Sequence, residues 1–236
     1  MAAASEAIED LVDANHILAH KGIVDGFGHV SCRSGKDRFL LSRNLAPALV
    51  TSADILEFDL DSEPVEPDAR PLYLERYIHG EIYRLRPDVG AIIHSHSPSL
   101  IPFGLVSAVP LEPVWHMAGF LGGGAPVFEI RDVAGDASDL LIRNRALGKA
   151  LAERMSDGNL VLMRGHGVTV VGNDVRHATY RAIYAELNAA LLLSARTLGT
   201  PVTLSAGEAH AAMTTNEAQS ARAWNLWKDE VRAGPA

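Results

Sequence analysis

Two histidines spaced i and i+2, His94 and His96, stand at the end of the apolar run Ala91-Ile92-Ile93. In a strand that spacing turns both imidazoles to one side, where they can share one metal ion. Two ligands fall short of the three that a catalytic zinc-type site draws from the protein. His166, held between Gly165 and Gly167 directly after the apolar residues 159–163, is the best third imidazole. A strand end presents its side chain, and the flanking glycines let a bound group come close to the backbone. The plainer alternative is a histidine in a solvated hairpin turn. A further pair, His16 and His20, lies one helical turn apart, but it has no acidic partner of the His-Glu-x-x-His kind and reads as a polar helix face.

Strands and helices must alternate to position such a cluster, and the apolar periodicity of the chain supplies them. Residues 5–21 read as a helix, with Ser5 as N-cap and Gly22 beyond its C-terminus. Residues 29–33 and 38–41 form a hairpin, 55–60 a strand, and 72–86 a helix ended by Pro87 with Glu75 near its start. The strand 89–94 leads into the histidine pair. Residues 110–124 are loop-like yet hold Trp115, His116, Met117 and Phe120, a composition suited to a pocket wall or a subunit contact. A strand over 127–130, a helix over 144–155, strands over 159–163 and 168–171 and a long helix over 175–198 follow. The tail from Pro201 ends in a polar helix whose Trp224 and Trp227 read as exposed and suited to docking on a partner subunit. This alternation predicts an α/β fold with both sheet faces covered.

The totals set bounds. A chain of 236 residues, 47% hydrophobic and 21% charged, fits one globular domain with a small C-terminal appendage. A formal net charge of -8 argues against nucleic acid or an anionic membrane as partner, since both need a basic patch. A small anionic substrate stays open, because a few local arginines override the global sign. The single Cys32 forbids an internal disulfide and fits a reducing compartment. No secretion signal pattern and no apolar run of about 18–20 residues is present, so a cytoplasmic location is expected.

Glu75 near a helix start, His94-Ser95-His96 after one strand and Gly165-His166-Gly167 after another together resemble the class II aldolase/adducin family over residues 8–200. The resemblance implies a three-layer α/β/α sandwich with a central, mostly antiparallel sheet, assembled as a homotetramer. It implies a catalytic domain over 1–200 and a helical tail over 201–236 packing at a subunit interface. It also implies His94, His96 and His166 as ligands of one divalent ion per chain, zinc or manganese, with Glu75 as the acid/base carboxylate. The chemistry needs such a set because breaking a carbon–carbon bond beside a carbonyl or phenol leaves an oxyanion, which a cation held by neutral imidazoles stabilises.

The chain departs from the sugar-phosphate aldolases of the family where their phosphate is held. Gly28-His29 replaces a Gly-Asn pair, Ser42-Arg43-Asn44-Leu45 a Thr-Pro-Ser/Thr-Gly turn, and Tyr73-Leu74 two serines. An arginine fork suits a planar carboxylate and apolar bulk suits a ring. His29, Ser42, Arg43 and Trp115 are therefore expected around the substrate, and Glu75 or His116 as the proton donor. The runs around Tyr73, His94, Trp115 and His166 are similar to the decarboxylase branch, which acts on hydroxylated aromatic or pyridine dicarboxylates. The expected activity is thus a metal-dependent carbon–carbon lyase, a decarboxylase first and an aldolase or epimerase on a sugar-derived substrate second. An adducin-like binding protein without chemistry is the third reading, and retention of four metal-type residues in register speaks against it.

Overall fold

The computed structural model describes residues 2–233, side chains from residue 5 onward. Seven strands form one sheet: β1 (His29–Arg33), β2 (Arg38–Ser42), β3 (Ile55–Asp59), β4 (Ala91–Ser95), β5 (Val127–Phe128), β6 (Leu160–Met163) and β7 (Gly167–Gly172). Their order is β3-β2-β1-β4-β7-β6-β5. Every neighbouring pair is antiparallel except β5 and β6. The helices are α1 (Ala2–His20), α2 (Arg76–Leu85), α3 (Ile101–Leu105), α4 (Arg131–Ala134), α5 (Arg145–Met155), α6 (Val175–Leu198), α7 (Ala206–Glu217) and α8 (Ser220–Arg232).

Strand periodicity divides the sheet into two faces. Val30, Ile93, Val168 and Val170 point to one, against Leu11 and Leu18 of α1, Tyr180 and Leu192 of α6 and both tryptophans of α8. Leu41, Ile92, Val161 and Val171 point to the other, against Ile78 and Ile82 of α2 and Leu147 and Leu151 of α5. The result is a three-layer α/β/α sandwich with a mostly antiparallel centre. His29 and Ser31 alternate with Val30, and His94 alternates with Ile93, so all three polar side chains belong to the α2 face.

Several boundaries differ from those the periodicity predicts. Helix α1 already runs at Ala2, which puts Ser5 inside the helix rather than at its cap. Helix α2 starts at Arg76 with Glu75 as its N-cap residue, because residues 63–74 follow the extended path set by Pro64, Pro67 and Pro71. Pro110–Gly124 is not all loop, since His116–Leu121 forms a 3-10 segment against α7.

The expectation of exposed tryptophans is overturned. Trp224 is 1% and Trp227 6% exposed within the single chain, because α8 folds back over α1 and α6. Arg232 and Lys228 of α8 reach Asp13 of α1 at 2.8 and 3.0 Å. The tryptophans are core, packed with α1 and α6 of the same chain. Trp224→Ala is therefore expected to lower unfolding free energy by about 3–5 kcal/mol, read from urea denaturation; a loss below about 1 kcal/mol would mark the tail as loosely attached.

Candidate metal centre

Four ligand-type atoms converge on the α2 face at the end of β4: Glu75, His94, His96 and His166 each offer one, all within 4.8 Å of one another. No other cluster of three or more histidine, cysteine or acidic ligands of this kind occurs among the described residues. The fold explains each placement. His94 is the fourth residue of the buried central strand, with His29 opposite it on β1 and Thr169 on β7. His96, two residues on, keeps the same side just beyond the strand end. Gly165, at φ +65°, reverses the chain between β6 and β7 and lifts His166 toward His96. At Gly167 a Cβ would lie 2.2 Å from the Ser95 carbonyl oxygen and 3.1 Å from the His96 ring, so only glycine lets the two ligand segments approach.

Backbone carbonyls orient two of the rings. His94 Nδ1 donates to Val168 O at 3.1 Å and His166 Nδ1 to Leu140 O at 3.0 Å. With Nδ1 committed to a carbonyl, Nε2 of each ring is turned to the cluster, where the neutral form of the ring presents a bare lone pair. His94 Nε2 is buried and has no hydrogen-bond partner among the described residues. His96 Nε2 stands 3.1 Å from His166 Nε2. A buried lone pair without a donor is costly, and a divalent cation is the group these inward nitrogens fit.

Glu75 completes the set. Its Oε1 accepts from the Ile142 N–H at 2.9 Å, and its Oε2 lies 3.6 Å from His94 Nε2 and 3.4 Å from His166 Nε2. Burial opposes the carboxylate charge, but His166, His94 and the Ile142 N–H outweigh it and hold the carboxyl down at about 2. His166 moves the other way: burial lowers it, yet Glu75 and the Leu140 carbonyl more than offset that and raise its pKa. For His94 burial wins and pushes the pKa well below the ordinary value, keeping the ring neutral and free to ligate.

Beside the cluster lies a cavity of about 200 Å³ lined by Gly26, Phe27, Gly28, His29, Asn44, Tyr73, Leu74, Glu75, His94, His96 and Leu141. His29 thus lines it. Ser42, Arg43, Trp115 and His116 do not. Arg43 Nε is 2.7 Å from Asp54 Oδ1, and this ion pair turns the guanidinium away from the cavity. Ser42 is behind Tyr73, its hydroxyl 3.4 Å from the Tyr73 oxygen. Trp115 packs edge-on against Tyr184 of α6, and His116 is exposed beside it, its carbonyl accepting from Asn216 of α7. The carboxylate clamp expected of Arg43 and the apolar wall expected of residues 115–120 are therefore absent from this cavity. Their places are taken by Asn44, one residue along the extended chain from Arg43, and by Phe27, Tyr73, Leu74 and Leu141.

Leu140 to Ile142 went unread in the sequence. Leu140 holds φ +70°, an uncommon conformation for a leucine, and its carbonyl orients His166 while Ile142 N–H, two residues later, holds Glu75. His16 and His20 are not a ligand pair: His16 Nε2 is committed to Val50 O at 2.8 Å.

Residues 9–193 match the family model described as the class II aldolase and adducin N-terminal domain. The chain is 36% identical to decarboxylase tropJ of Talaromyces stipitatus over 98% of its own length and 96% of that protein's. It is 33% identical to 3,4-dihydroxyphthalate decarboxylase of Arthrobacter keyseri over 82% of this chain and 80% of that one. Among solved structures, L-fuculose 1-phosphate aldolase from Glaciozyma antarctica superimposes with a TM-score of 0.77 at 22% identity, covering 94% of this chain and 88% of that chain.

Proposed function

We propose, from the premise that this chain belongs to the class II aldolase and adducin family, that it is a divalent-metal-dependent carbon–carbon lyase which decarboxylates a hydroxylated aromatic or pyridine carboxylate. The observation that carries the choice is the cavity wall. It holds no serine or threonine and is mostly apolar and aromatic. The small hydroxyl side chains with which the family's sugar-phosphate aldolases hold their phosphate are thus missing from it, whereas a carboxylate and an ortho hydroxyl can be met at the cation and a flat ring fits between Phe27, Tyr73, Leu74 and Leu141. At about 200 Å³ the space lies below the range of drug-sized ligand sites and suits one ring. The decarboxylases similar to this chain support the same reading.

His94, His96 and His166 would hold the ion, zinc or manganese, which when bound acts as a Lewis acid toward developing negative charge on oxygen. Glu75, ionised at neutral pH, takes the ring hydroxyl proton. Glu75 then delivers that proton to the ring carbon bearing the carboxylate, which turns the phenolate into its dienone tautomer. The bond between that carbon and the carboxylate breaks, its electron pair passes through the ring to the oxygen as carbon dioxide leaves, and the product is the ring phenolate bearing hydrogen where the carboxylate stood.

The metal-loaded protein, given 3,4-dihydroxyphthalate and other single-ring ortho-hydroxy carboxylates beside aldol sugar phosphates, is expected to release carbon dioxide from at least one aromatic acid. Aldehyde release from a sugar phosphate, with no carbon dioxide from any aromatic acid, would replace this reading with the aldolase one.

We also assign residues 1–200 to the catalytic domain and 201–236 to the tail, and the whole chain to a homotetramer. Leu187, Leu191, Leu198 and Val202, exposed along α6 and just beyond it, support an assembled state. No helix among the described residues is long and apolar enough to cross a membrane.

A further inference from the structure

Behind the cavity runs a buried chain of four polar side chains. His29 Nδ1 is 2.7 Å from His79 Nε2, His79 Nδ1 is 2.6 Å from Ser31 Oγ, and Ser31 Oγ is 2.8 Å from the Tyr83 hydroxyl. Ser31 and His79 are fully buried and His29 and Tyr83 nearly so. β1 presents His29 and Ser31 on one face, and α2 presents His79 and Tyr83 one turn apart, so the two elements interleave their polar groups.

The chain can run in only one direction. A phenol keeps its proton in such surroundings, and burial pushes the Tyr83 hydroxyl still further from ionising. Among the described residues its one partner is Ser31 Oγ, so Tyr83 donates and Ser31 accepts. Ser31 must then give its own proton to His79 Nδ1. His79 carries its proton on Nε2 and donates it to His29 Nδ1. A neutral His29 is left with its proton on Nε2, the nitrogen turned from His79, on a ring that lines the cavity. The reverse direction strands the Tyr83 proton in the interior without an acceptor, a preference of roughly tenfold or more for the stated direction. This arrangement is opposite to that of His94 and His166, whose Nδ1 protons go to carbonyls. One cavity is thus offered bare imidazole lone pairs on one side and an imidazole N–H on the other.

We propose that His29 is a fixed hydrogen-bond donor to an anionic oxygen of the substrate, and that Tyr83, Ser31 and His79 are positioning residues that lock it in that state. The locked proton also explains why His29, its ring 5.0 Å from that of His94, is not a fourth metal ligand. The identity of the acceptor, a carboxylate or phenolate oxygen, rests on the function proposed above; the direction of the chain does not.

Long-range proton–nitrogen spectra of the ¹⁵N-labelled full chain test the direction without substrate, with His29→Gln and His79→Gln assigning the two rings. His29 and His79 are both expected with the proton on Nε2; either ring protonated on Nδ1 overturns the proposal. His79→Leu removes the donor to His29, so the His29 nitrogen shifts are expected to draw together as the two tautomers exchange, while His79→Gln, whose amide can donate, keeps them apart. A His29 ring pinned equally in both variants would remove His79 from the positioning role. For the donor role, salicylate binding to the zinc-loaded protein is measured at matched zinc content. His29→Leu is expected to weaken it about tenfold and His29→Gln by less than about threefold. Unchanged affinity in His29→Leu overturns the donor role. Failure of salicylate to bind the unsubstituted protein, with the tautomers as stated, overturns the aromatic substrate class and leaves the direction of the chain standing.

Discussion

His94→Ala is expected to remove the bound divalent ion and at least 100-fold of the turnover together. The ring sits near the end of the buried strand β4, its Nδ1 fixed by Val168 O and its Nε2 without a partner among the described residues. Loss of groups that only orient a ligand already costs about 10–100-fold in metal affinity or activity, so loss of the ligand itself costs more. Metal analysis should find about one divalent ion per chain in the unsubstituted protein and none in the variant. Thermal unfolding separates this from simple misfolding: zinc should raise the Tm of the unsubstituted protein and leave that of His94→Ala unmoved, since only a ligand bound by the folded state stabilises it. Stoichiometric, tightly held metal in His94→Ala would mean that the site lies elsewhere.

Glu75→Gln is the complementary experiment, since it keeps the shape and removes the charge. The amide oxygen can still accept from Ile142 N–H, which now fixes Oε1 at 2.9 Å, so the loop 140–142 should stay in place. What is lost is a carboxylate held ionised, by His166 above all, against the pull of burial. A positioned acid/base contributes about 10²–10⁴-fold, and that is the expected fall in kcat per metal-loaded site, with the three imidazoles still holding the ion. A kcat within about threefold of the unsubstituted value would hand the proton transfer to another group.

Local pattern made the three clustered histidines legible. A period of two in an apolar strand and glycines flanking a histidine are both features of a few adjacent residues, and the fold brings those residues together. Arg43 shows where such reasoning fails. Its neighbour Asn44 faces the cavity because residues 43 and 44 pair with Asp54 and Pro71 respectively, and one residue of register decides which side chain turns inward. Asp54, eleven residues away, then claims the guanidinium. The supporting segment 140–142 has no periodicity to read, and its value depends on Leu140 adopting a left-handed backbone that no leucine advertises. Trp224 and Trp227 look exposed only while α1 and α6 are ignored; the burial of such a helix is decided by what distant parts of the chain provide.

That last contact also orders events in time. Asp13 and Arg232 meet across a separation of 219 residues, so α8 closes over α1 only after every strand between them has been made. Synthesis proceeds at about 5–20 residues per second, which leaves the apolar sheet face under α1 unfinished for on the order of ten seconds or more after α1 appears. The strands that carry the histidines are made in that interval, while the apolar face they share with α1 still lacks the cover of α8.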